Sequence, residues 1–137
     1  MRVLFDTNII LDVINKRTPF LQDSYTALKL AYNFYTPCIS TTTITDAVYI
    51  SKKSFVDSEE QKRILSDFFS DFKICAVTKS QIKQAFKSTM SDFEDAVQAF
   101  CAKQYHIKYI VTRNIKDYKF SPVEVIEPAD FLRLCGR

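Results

Sequence analysis

Short, mostly apolar runs at residues 3–6, 37–40, 72–77, 109–112 and 123–126 alternate with longer segments of helical period. Strands separated by helices predict a parallel sheet covered on both faces. The intervening stripes support this. Leu21, Tyr25, Leu28, Tyr32 and Tyr35 recur with helical spacing, as do Ile64, Leu65, Phe68, Phe69 and Phe72, and again Phe93, Ala96, Val97, Phe100 and Cys101. Each stripe reads as the core-facing side of a helix, not as a cofactor box.

The punctuation agrees. Ser40 and Thr41 can cap a helix carrying Asp46, and Ser91 with Glu94 three residues on matches the S-x-x-E capping box. Asp57 or Ser58 can open another helix, Pro128 suits the first turn of the last one, and Gly136 lies beyond its end. With no linker, repeat or low-complexity stretch, residues 1–137 read as one domain.

Composition narrows the chemistry. Hydrophobic residues make up 47% of the 137 residues, with twelve Phe and seven Tyr, so the expected core needs neither disulfide nor structural metal. Cys38, Cys75, Cys101 and Cys135 are scattered without CxxC spacing and read as reduced packing residues, which fits a cytoplasmic location. The N-terminal residues carry no signal-peptide pattern, and no stretch is long and apolar enough to span a bilayer, so no membrane association is expected. A net charge of +3 permits nucleic-acid binding without arguing for it.

The single glycine, Gly136, excludes both the Walker P-loop and the GxGxxG turn, because each needs backbone to approach phosphate without a side chain. Any phosphate must be held by metal or side chains. The one histidine, His106, reads as an ordinary residue near a helix C-terminus and leaves little room for a His-based triad or metal site.

Four acids remain. Asp6 ends the first strand with Thr7 and Asn8 beside it, and Asp46 lies in the early turns of the helix after the second. Asp92 and Asp95 share a face of a helix whose Phe93, Ala96 and Val97 point to the core, and Asp117 follows Thr112-Arg113-Asn114 after the fourth strand. In an open α/β sheet these edges form the ligand site. Two carboxylates about 4 Å apart repel by roughly 4 kcal/mol at an effective dielectric near 20, so a cluster needs a cation or shared protons. Oxygen-only ligands suit Mg²⁺ or Mn²⁺. Glu94 reads more simply as a cap, and Asp12 and the charges between residues 57 and 71 as solvated helix faces.

Taken in order, Asp6-x-Asn8, the acid at 46, Val48-Tyr49-Ile50, Asp92-Phe93-Glu94-Asp95-Ala96, Thr112-Arg113-Asn114-x-x-Asp117-Tyr118 and Pro128-Ala129-Asp130-Phe131-Leu132 closely resemble the PIN domain, nearly end to end. The resemblance implies a three-layer α/β/α sandwich around a parallel sheet of four to five strands, and a Mg²⁺- or Mn²⁺-dependent ribonuclease. Many small bacterial members are VapC-like toxins neutralised by an antitoxin, and a homodimer is also implied. On that similarity Asp6 and Asp95 match the principal metal ligands, Asp46 and Asp117 the supporting acids, and Thr112 and Asn114 the polar residues beside them. The chain departs from the family in carrying Asp46 where Glu is usual. The shorter side chain withdraws its carboxylate by a methylene, which points to a contact through water or a weaker second metal site.

The expected function is hydrolysis of RNA phosphodiesters by a toxin of this type. Lys16, Arg17, Lys52, Lys53, Arg113, Lys116 and Lys119 are candidates to guide the RNA backbone, with Arg113 and Lys116 nearest the acids in sequence, and Asn8, Thr112 and Asn114 can contact substrate. Two rivals stand beside this reading. A PIN-like domain without activity would serve only to bind a partner. A phospho-receiver domain would need an acceptor Asp after the third strand, where this chain has Ala76-Val77-Thr78.

Overall fold

The computed structural model describes residues 1–136 and is organised around a five-stranded, all-parallel sheet. Strands β1 (Arg2–Phe5), β2 (Thr36–Ser40), β3 (Lys73–Cys75), β4 (Tyr109–Val111) and β5 (Val125–Ile126) lie in the order β3-β2-β1-β4-β5. The central strand β1 pairs Leu4 with Cys38 on one side and with Ile110 on the other. Among the described residues seven α-helices flank the sheet, six between strands and the last after β5: α1 (Thr7–Ile14), α2 (Leu21–Phe34), α3 (Thr41–Ile50), α4 (Ser58–Phe69), α5 (Lys79–Lys87), α6 (Phe93–Gln104) and α7 (Pro128–Leu134).

Because successive strand residues face opposite sides, each strand feeds two cores. Val3, Phe5, Ile39 and Val111 pack with Ile9, Ala27, Ala31, Ala47, Leu65, Phe69 and Phe131, from α1–α4 and α7. Leu4, Cys38, Cys75 and Ile110 pack on the other face with Ala85 of α5 and Ala96, Ala99 and Ala102 of α6. This is the expected three-layer sandwich. Fully buried Phe5, Ile39 and Phe131 each contribute about 1.5–3 kcal/mol of transfer free energy, which fixes the strand ends that carry the polar site.

Several local expectations give way to packing. On α2 the buried residues are Ser24, Ala27, Leu28, Leu30 and Ala31, while Tyr25 and Tyr32 are 50% and 55% exposed. Small residues let α2 lie close to its neighbours, and the larger tyrosines are displaced to the flank. Ile64 and Phe93, expected in the core, are likewise exposed. The cap of α6 is Asp92, which accepts from the Asp95 N–H at 2.9 Å, so the predicted Ser91–Glu94 box does not form. The third and fifth strands are shorter than their apolar runs.

Other expectations hold. Ser40 caps α3, Asp57 caps α4, and Pro128 opens α7. The four cysteines are free, with Cys38, Cys75 and Cys101 buried. Among the described residues no helix is long and apolar enough to cross a membrane.

Candidate acidic site

Strand order reverses between β1 and β4, so the chain leaves these neighbours toward opposite faces and opens a crevice beyond their carboxyl ends. Asp6 stands at this point. Its N–H donates to the Val111 carbonyl at 3.0 Å, extending the β1–β4 pairing by one residue, and its side chain caps α1.

The Asp6 carboxylate is buried yet surrounded by donors. Oδ1 accepts from the Thr7 N–H at 2.7 Å and from Gln98 Nε2 at 3.1 Å. Oδ2 accepts from the Thr112 hydroxyl at 2.8 Å, the Tyr118 hydroxyl at 3.1 Å and Asn8 Nδ2 at 3.4 Å. Burial pushes the carboxyl above its ordinary value, and these hydrogen bonds, that of Thr112 foremost, pull the other way. The donors come from both sides of the crevice and from α6, which locks the side chain into one position.

Gln98 and Tyr118 were not foreseen as site residues. Gln98 follows Asp95 by one helical turn on a face that is otherwise apolar. Its Oε1 accepts from the Ser40 hydroxyl at 2.6 Å while its Nε2 serves Asp6 and reaches Thr43 Oγ1 at 3.4 Å. One side chain thus ties the start of α3 to the end of β1. The signal was a buried amide in an alanine-rich helix, which needs partners for every polar atom. Tyr118 donates to Asp6 Oδ2, and burial with the Asp6 and Asp95 carboxylates beside it raises its phenol strongly.

Asp95, in the first turn of α6, is half-buried, and its carboxyl is pushed up to about 7. Burial is the largest cause, followed by repulsion from Asp6, Asp92 and Asp117, while the Tyr118 hydrogen bond opposes them. Asp117 lies on the single helical turn Ile115–Tyr118 after β4, and Asp46 on α3. Asp6, Asp46, Asp95 and Asp117 all line one cleft of about 560 Å³, together with Asn8 and Asn114.

The other predicted contact residues are arranged differently. Thr112 is fully buried behind Asp6 and accepts from the Asn114 N–H at 3.0 Å, so it supports the site from beneath. Arg113 turns away from the cleft. Its guanidinium makes a bidentate pair with Asp12, Nε to Oδ2 at 2.7 Å and a terminal nitrogen to Oδ1 at 2.9 Å, and lies 3.7 Å over the Phe20 ring. Asp12 is fully buried and also accepts from the Ser24 hydroxyl at 2.8 Å, so it is not the solvated residue expected. This charge pair accounts for the orientation of Arg113, which the structure does not bring into the cleft with the acids. Lys116 is exposed on the turn beside Asp117, outside the cleft wall, whereas Arg17 contributes to that wall.

The donor set is oxygen only, which suits a hard divalent cation. Among the described residues no three acidic, His or Cys side chains converge as a ready-made metal cage. Such an arrangement fits Mg²⁺, which keeps several waters and is commonly held through one or two carboxylates. The repulsion that raises the Asp95 carboxyl is the kind that a cation relieves.

Comparison with known proteins follows this geometry. No curated protein sequence matches the chain. Among solved structures, a VapBC2 complex from Rickettsia felis bound to a promoter DNA fragment aligns with a TM-score of 0.69 at 22% identity, covering 93% of this chain and 98% of that one. A toxin-antitoxin complex from Klebsiella pneumoniae gives a TM-score of 0.71 at 23% identity, covering 92% and 97%. PAE2754 from Pyrobaculum aerophilum gives 0.62 at 16% identity, covering 100% and 91%. At these identities the likeness is one of fold. The family model for the PIN domain matches residues 2–116, most of the chain and every acid of the cleft except Asp117, and the chain belongs to the PIN domain family.

Proposed function

We propose that the chain is a ribonuclease dependent on Mg²⁺ or Mn²⁺ and the toxin of a toxin-antitoxin pair. The observation that carries this reading is the Asp6–Asp95 pair, two carboxylates at the wall of one open cleft, Asp6 bonded to the Tyr118 hydroxyl and Asp95 raised to about 7 by burial and its acidic neighbours. Carboxylates buried and crowded in this way are unfavourable in the free protein, and a cationic ligand relieves them.

In this reading Asp6 and Asp95 hold the ion. Asp6 enters the reaction already fixed by its donors, so little reorganisation accompanies ligand binding. When bound, the ion supplies a Lewis acid for a phosphoryl oxygen and lowers the pKa of an attacking water. Asp46 and Asp117 accept no hydrogen bond from another side chain among the described residues, which leaves their oxygens to accept from water and so orient it toward the phosphate. Asn114 places an amide group in the cleft wall, where an N–H can hold a phosphate oxygen without metal, while Asn8 donates to Asp6 and Thr112 and steadies the site. The mechanism needs no histidine.

Support for a toxin comes from the fold likeness to chains of toxin-antitoxin complexes, and with it come an antitoxin partner, a homodimer and a cytoplasmic setting as parts of the proposal. The test is incubation of purified protein with mixed single-stranded and structured RNAs, with Mg²⁺, with Mn²⁺ and with chelator. Cleavage only with metal supports the reading. No cleavage of any RNA with either metal contradicts it and leaves a partner-binding PIN domain.

A further inference from the structure

Helix α5 reads Lys-Ser-Gln-Ile-Lys-Gln-Ala-Phe-Lys, with three lysines and no acid. Lys79, Lys83 and Lys87 recur every fourth residue, so they form a single row along the helix, and all three are exposed. Gln81 and Ala85 face inward. Between the buried face and the lysine row runs a second row, Ile82 and Phe86. Ile82 lines the acidic cleft. Phe86 is 75% exposed and packs on Phe93, itself part of the cleft wall, with ring centroids 4.6 Å apart and planes at 44°.

Folding does not account for this face. Like charges four residues apart on a helix repel, and among the described residues none of these lysines has an ion-pair partner. A phenylalanine left mostly in water returns little of its transfer free energy. Both features become favourable against one kind of partner, a flexible polyanion with exposed flat bases. The cleft also needs such help, because its own carboxylates repel a phosphate backbone approaching without an anchor elsewhere. Bases within a duplex are stacked on each other and cannot stack on a side chain.

We infer that the α5 face formed by Lys79, Lys83, Lys87 and Phe86 is the track along which a single RNA strand enters the cleft, its phosphates on the lysine row and a base stacked on Phe86. The inference rests on the nuclease reading and extends it to the path of the substrate.

The test is fluorescence anisotropy of a labelled oligouridylate titrated with the full chain in EDTA, which prevents metal-dependent cleavage, over a range of salt. Each phosphate contact to a single strand contributes about 0.7 to the slope of log affinity against log salt, so K79Q/K83Q/K87Q flattens the slope by about 2. Phe86→Ala weakens binding roughly tenfold, the scale of one lost base stack. Both variants melt within a few degrees of the wild type, the triple variant slightly higher for its relieved repulsion and Phe86→Ala slightly lower for the lost Phe93 contact, since the four side chains are exposed. Wild-type slope and affinity in these variants, equal binding of a duplex, or no binding by the wild type overturns the track. So does a shift from dimer to monomer in sedimentation with RNA binding intact, which assigns the face to a second copy of the chain. Failure of the nuclease reading shows separately, as absence of metal-dependent cleavage by the wild type.

Discussion

The Tyr118 hydroxyl donates to Asp6 Oδ2 at 3.1 Å, with the Asp95 carboxylate also beside it. A phenol has one proton, so it can donate to only one carboxylate at a time. Tyr118→Phe keeps the ring, which packs in the second core, and deletes only this link. Unfolding free energy of the metal-free protein falls by about 1–3 kcal/mol, the scale for a hydrogen bond to a buried charged group. Urea denaturation at neutral pH measures it, and an unchanged midpoint and slope would show that the hydroxyl does not serve the carboxylates.

The Asp12–Arg113 pair gives a second prediction. Asp12 is fully buried and Arg113 partly open, so the two single substitutions are unequal. Arg113→Ala strands a buried carboxylate and costs about 3–5 kcal/mol. Replacing both residues by apolar ones of similar size costs less than Arg113→Ala alone, because no unpaired charge remains. A double-mutant cycle in chemical denaturation decides this. Equal and additive losses would mean that the pair is not coupled in solution.

Stability of the metal-free protein should decline as pH rises. The Asp95 carboxyl is pushed up to about 7 in the folded chain from its ordinary 3.8, and Asp6 is shifted in the same direction. Between these values the folded state binds more protons than the unfolded one, so stability is greatest toward the acid side of this window and is lost as pH rises through about 7. Asp95→Asn flattens the profile, and Mg²⁺ or Mn²⁺ restores stability above pH 7 in the wild type only. Melting temperature across pH with and without metal reads all of these, and a metal-free profile that rises through this range would contradict the shift.

Asp46 stands where the resemblance to the family leads one to expect Glu. It lines the cleft on α3 but contacts neither Asp6 nor Asp95 through a hydrogen bond among the described residues. Asp46→Ala lowers cleavage about 10- to 100-fold, the range for residues that orient ligands without holding the metal themselves. Asp46→Glu, which extends the carboxylate into the cleft, raises cleavage at limiting metal. Rates measured across a metal titration test both, and abolition by Asp46→Ala equal to that of Asp95→Asn would promote Asp46 to a direct ligand.

What the sequence made legible, and what it did not, follows the same physics. The four acids and Asn8 and Asn114 could be placed because strand ends and helix starts carry clear marks, and parallel topology sends those ends to one edge. Helix α1 escaped the periodicity because Ile9, Ile10, Leu11 and Asp12 are all buried, leaving little polar face to alternate with. Helix α5 escaped for the opposite reason, being short and mostly polar, with its start marked only by Gln81 Oε1 accepting from the Thr78 N–H at 2.7 Å. Asp12 and Arg113 were misplaced because each looks like a surface charge until the other is brought across 101 positions of chain. Gln98 and Tyr118 reach Asp6 across more than ninety residues of chain, which no local pattern encodes.

The most direct test of the whole account is RNA cleavage by the purified wild-type protein and by Asp95→Asn, side by side across a Mn²⁺ titration. The account predicts cleavage by the wild type that rises with metal and vanishes with chelator, and loss of that cleavage in Asp95→Asn while its fold is retained by circular dichroism. Equal cleavage by the two proteins, or cleavage by the wild type that is indifferent to metal, would contradict it.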